Sequence, residues 1–106
     1  MPKYLLEVNY TLDGIRGVKS NGGSARVAAA KELIEGLGGT LESFYFAFGR
    51  TDVYAVADFP DTVSAAAAAL SVSAGGGATV RTVALLSAAE IDDAIAKKTT
   101  YRPPGS

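Results

Sequence analysis

Four kinds of side chain in this sequence stand out as candidates for a site: carboxylate, guanidinium, phenol and phenyl. Arg50 and Asp52 stand two positions apart in the tight connection Gly49-Arg50-Thr51-Asp52. A carboxylate there acts as a base or orients a ligand, and a guanidinium holds an anion. The same pair also suits a turn, with Asp52 capping backbone groups and Arg50 in water. Tyr10, Tyr45, Tyr54 and Tyr101 are suited to lining an aromatic cavity, donating to a carbonyl or steadying a phenolate; equally, they pack with a satisfied hydroxyl. Arg81 lies among valines and threonines, where its charge needs a carboxylate such as Glu7 or Glu42, or an anionic ligand. Phe44, Phe46 and Phe48 supply an apolar wall.

Composition removes much other chemistry. The 106 residues contain no cysteine and no histidine. That excludes a disulfide framework, a thiolate metal site, a cysteine nucleophile, the commonest general base and the usual haem ligand. Ten basic against eleven acidic side chains give a net charge of −1, without the positive field a nucleic-acid binder needs. Gly22-Gly23-Ser24 opens a helix but lacks the spacing of a phosphate loop. Asp92-Asp93 and the pair Asp58 and Asp61 read as helix-terminus carboxylates, not as a calcium loop. No cofactor and no metal is called for. The opening Met1-Pro2-Lys3-Tyr4 does not read as a signal peptide, and no apolar run is long enough to span a membrane. A cytoplasmic protein is expected.

The elements that must position these groups follow from periodicity. Residues 3–11 alternate as a strand, with Tyr4, Leu6, Val8 and Tyr10 on one side. Leu12 to Val18 predicts a helical turn or two, since its glycines disfavour a longer helix. After the break at Asn21-Gly22-Gly23, Ser24 is expected to cap a helix with Val27, Ala30, Ile34 and Leu37 inside. Residues 40–48 and 53–59 predict two strands joined by a hairpin. In the first of these, Phe44, Phe46 and Phe48 share a face opposite Tyr45 and Leu41. Pro60 and Asp61 introduce a helix over 62–74, with the stripe Val63, Ala66, Ala67 and Leu70. A strand over 78–86 follows, then the capping box Ser87-Ala88-Ala89-Glu90 opens a last helix with Ile91 and Ile95 inside.

This order predicts an α+β fold, a ferredoxin-like βαββαβ sandwich with an extra C-terminal helix. A single domain is expected over residues 1–97, with an extended tail at 98–106 around Arg102-Pro103-Pro104-Gly105. Apolar residues occupy both faces of the middle strands, whereas the helices cover only one. A partner subunit is the simplest cover, so a homo-oligomer with sheets face to face is expected.

The ordered landmarks resemble the GYD domain family of small bacterial and archaeal proteins across nearly the whole chain. They comprise Met1-Pro2-Lys3-Tyr4, Tyr10-Thr11 with Gly14-Ile15, Gly22-Gly23 followed by Arg26, and Leu37-Gly38-Gly39. The segment Phe44 to Gly49, Asp52, Asp58 with Pro60-Asp61, Arg81-Thr82, Leu85-Leu86 and Tyr101 to Gly105 complete them. Threonine at position 51 stands where the family's naming element has a tyrosine. The resemblance implies a dimeric α+β barrel, in a superfamily that includes cofactor-free monooxygenases, muconolactone-isomerase-like proteins and stress-responsive barrel proteins. It implies no particular activity.

Three functions fit these residues. The first is an oligomer that binds a small metabolite in an apolar pocket between sheet and helices, with Tyr10, Tyr45, Phe46, Phe48, Arg50, Asp52, Arg81 and Tyr101 as candidate ligand contacts. The second is a cofactor-free monooxygenase- or isomerase-like enzyme in which tyrosines, Arg81 and Asp52 position an enolisable or phenolic substrate. The third is an assembly subunit with no ligand.

Overall fold

A computed structural model describes residues 1–105; Ser106, the end of the expected tail, lies outside the described residues. Alternation in residues 3–10 makes a central strand, β1 (Lys3–Tyr10), flanked by β3 (Val53–Asp58) and β4 (Ala78–Leu85). With β2 (Thr40–Phe46) outside β3, the sheet order is β2-β3-β1-β4, every neighbour antiparallel. Between the strands run α1 (Leu12–Asn21), α2 (Gly23–Gly36) and α3 (Thr62–Ala74), and α4 (Ala88–Ala96) follows β4. This is the ferredoxin-like α+β architecture with its added C-terminal helix. Among the described residues no helix is long and apolar enough to cross a membrane.

One sheet face meets the helices. Its buried cluster joins Tyr4, Ala57 and Phe59 to Ile34 of α2 and to Ala65 and Ala68 of α3. Tyr4 and Phe59 meet edge to face at 5.9 Å, and the Tyr4 hydroxyl pairs with Thr62 Oγ1 at 3.0 Å. The large side chains therefore sit at one end of the layer. At the other end the helices present alanine and valine.

The structure corrects several sequence expectations. Leu12 to Asn21 forms a full helix despite its glycines, because the Thr11 side chain caps it at Gly14 N–H and Asp13 favours its first turn. Gly22, at φ 91°, makes the break between α1 and α2. Ser24 consequently lies inside α2, whose N-cap is Gly22 with no side-chain bond. In α3, Ala65 and Ala68 are buried, while Val63 and Leu70, expected inside, are 78% and 70% exposed. A register shift between Leu41 and Ser43 puts Leu41 on the helix side with Phe44 and Phe46, not opposite them. β2 ends at Phe46, and Phe48 stands fully exposed beyond it. The last helix forms with both halves of its capping box, but Ile91 and Ile95 face solvent in the single chain.

Gly14 marks a close approach: a Cβ there would lie 1.8 Å from the Gly77 carbonyl oxygen. Thr11 pins the same junction, its N–H donating to Gly77 O and its hydroxyl to Gly76 O. Gly14→Ala must push α1 off the loop before β4. Urea unfolding should show a loss of about 2 kcal/mol, whereas Gly17→Ala, with open space around it, should show none.

Candidate functional site

The site arises from small residues placed opposite large strands. Ala29 and Ala30 of α2 face Ala68, Ala69 and Val72 of α3 over Leu6, Val8 and Val80 of the sheet. A methyl group reaches too short a distance to fill the space between layers, so packing at this end is incomplete. The result is a cavity of about 450 Å³, within the range of small-molecule sites. Phe44 and Leu41 wall it toward β2, and the core cluster closes it near Ile34.

Three polar-tipped side chains line this mainly apolar space: Tyr10 at the end of β1, Arg26 near the start of α2 and Ser71 in the last part of α3. Burial raises the Tyr10 phenol above its ordinary pKa of 10.0; Asp52 raises it further, while Arg26 opposes both. The phenol is thus a protonated hydrogen-bond donor at neutral pH. Asp52 is engaged with backbone, its Oδ2 accepting the Tyr10 N–H at 2.9 Å. No carboxylate lines this interlayer cavity among the described residues.

The eight sequence candidates separate into distinct places. Tyr10, Phe46, Phe48 and Asp52 gather around a shallower depression bounded by Ile15 and Val18 of α1. Of the eight, only Tyr10 also lines the cavity between sheet and helices. Arg50 is exposed in the β2–β3 connection, where its carbonyl accepts the Asn9 side-chain amide at 2.8 Å. Tyr45 and Arg81 lie on the opposite sheet face, and Tyr101 is 75% exposed in the tail. Arg81 is already occupied: it donates to Asn9 Oδ1 at 3.0 Å and to the buried Thr51 hydroxyl at 2.8 Å. Glu7 stands 4.0 Å from its Nε, so of the two carboxylates considered from sequence the nearer is Glu7; Glu42 pairs with Lys3.

Arg26 is the lining residue that sequence reasoning passed over as a site. The signal was present. Arg26, Ala30, Leu33 and Ile34 follow the helical spacing of one face, so a cation interrupts an apolar stripe.

Fold and cavity together define a ferredoxin-like α+β protein with a hollow, mainly apolar space between its layers. The sequence model of the GYD domain matches residues 4–95, and the chain belongs to the GYD domain family. No curated protein and no solved structure matches it significantly.

Proposed function

We propose that this chain is a small-molecule-binding protein, that its site is the cavity between sheet and helices, and that it works as a dimer through the open sheet face. The observation that carries the binding reading is the 450 Å³ apolar cavity left by the alanine faces of α2 and α3. Apolar surface that stays hydrated in the free protein is released from water when an apolar ligand enters, which favours binding. Tyr10 and Arg26 supply orientation. They could also stabilise an oxyanion, but the lining holds no carboxylate to remove a proton, so binding is favoured over proton-transfer catalysis.

The test is occupancy. Ala69→Phe projects a ring into the cavity from α3. Affinity for the neutral solvatochromic dye prodan should fall at least about tenfold, with the thermal unfolding transition retained. Equal dye affinity in the folded variant would remove the cavity as the site.

The dimer reading rests on the uncovered side of the sheet. There, Val56, Leu5 and Val83 form an apolar row across β3, β1 and β4. It is bordered by the charged row of Asp58 and Lys3 and by the mixed row of Tyr45, Tyr54, Glu7 and Arg81. An apolar centre inside a polar rim is the anatomy of an association surface. The outlying α4 adds to this: the radius of gyration is 16.8 Å, against about 13 Å for a compact chain of this length.

A further inference from the structure

The cavity's lining is asymmetric in charge. Arg26 is the one ionised side chain on it among the described residues, and it enters no salt bridge there. It stands in the opening turn of α2, which holds no acidic residue and whose dipole disfavours a cation. Tyr10, the neighbouring polar tip, remains a donor rather than an anion. Asp52, the nearest carboxylate to Tyr10, is tied to the Tyr10 backbone N–H. Both tips therefore offer donors, and the third polar group on the lining, the Ser71 hydroxyl, is neutral and can also donate. Below them the wall is Leu6, Val8, Leu33 and Phe44, which offer nothing polar. Along β1 the distance from Leu6 to Tyr10 is about 13 Å at the usual strand rise, long enough for an extended apolar body behind a compact head.

We infer that the cavity takes amphipathic anions: a carboxylate held by the Arg26 guanidinium and the Tyr10 hydroxyl, with an aliphatic or aromatic body lying over Leu6, Val8 and Phe44. This rests on the cavity being the binding site and adds the class of ligand. A guanidinium pairs with a carboxylate through parallel N–H···O bonds, stronger than the contacts either group makes to neutral partners. A neutral molecule of the same length gains only the apolar part.

Calorimetric titration with decanoate, decanol and decylamine separates the two claims. Decanoate should bind about tenfold more tightly than decanol, and decylamine most weakly. Arg26→Gln, at an exposed position, should abolish the advantage of decanoate over decanol. Arg26→Lys should restore part of it, since the charge returns without the planar fork. Equal binding of decanoate and decanol to the native chain, or an advantage that survives Arg26→Gln, overturns the anion inference and leaves the cavity reading standing. Absence of binding by any of the probes overturns both.

Discussion

Phe59→Ala should cost about 4 kcal/mol and lower Tm by roughly 15–30 °C, a large part of the stability of a domain this size. Phe59 is fully buried, and its ring meets Tyr4 edge to face. It follows β3 immediately, where its N–H donates to the Pro2 carbonyl at 3.0 Å and fixes the chain before α3 begins. Few large side chains share that task, since the helices bury mostly alanine there. Removing the ring leaves a void that the methyl groups of Ala65 and Ala68 are too short to fill. Phe48→Ala is the control: the same change at a fully exposed ring should move stability by less than about 0.5 kcal/mol. Urea melts of both variants decide the matter. A loss below about 1 kcal/mol for Phe59→Ala would show that the helices are held by something other than this cluster. The effect reaches the cavity because the same cluster fixes the separation of α2 and α3.

How far sequence leads here depends on whether neighbouring residues differ. β1 was legible because its two sides carry different side chains, Tyr4, Leu6 and Val8 against Lys3, Glu7 and Asn9. The capping box at Ser87 and Glu90 was legible because each partner's role follows from its own chemistry. The buried face of α3 was not. Five consecutive alanines look alike from every side, so the choice of Ala65 and Ala68 is made by Tyr4 and Phe59 across the layer. The turn of Leu41 toward the helices was hidden for a related reason: the extra residue near Glu42 shows itself only once β3 sets the register.

The site divides along the same line. The candidates were chosen for chemical type, and type alone does not say which sheet face a residue takes. Tyr10 belongs to β1's inward set and therefore lines the cavity, whereas Arg81 pairs across from Glu7 on the outward set. Arg81 looked in need of an anion because Asn9 and Thr51, its actual partners, are 72 and 30 positions away in sequence. Arg26 reads as a solvated helix charge until its face is compared with Ala30 and Ile34. The cavity itself is an absence of volume, and alanine-rich helices signal it only when the facing strand is known to be aliphatic.

Val83→Glu should convert a dimer to monomer at micromolar concentration, weakening association by roughly a hundredfold or more. Val83 sits on β4 opposite Leu5 and is 41% exposed in the single chain, so a carboxylate there stays solvated and the protomer folds. In a face-to-face dimer the same carboxylate is pressed into the apolar row of Val56 and Leu5, where an unpaired charge costs about 3 kcal/mol or more. Arg81, the nearest cation on that strand, is already held by Asn9, Thr51 and Glu7 and is not free to neutralise it. Light scattering after size exclusion reads the mass, and circular dichroism checks that the variant keeps its fold. A native chain that runs as a monomer, or a variant that remains as dimeric as the native chain, removes the open face as the interface. Exposure of Ile91 and Ile95 would then need α4 to find its cover elsewhere. If dissociation occurs while prodan affinity is unchanged, the cavity is complete within one protomer, as its lining by this chain's own α2, α3 and β1 requires.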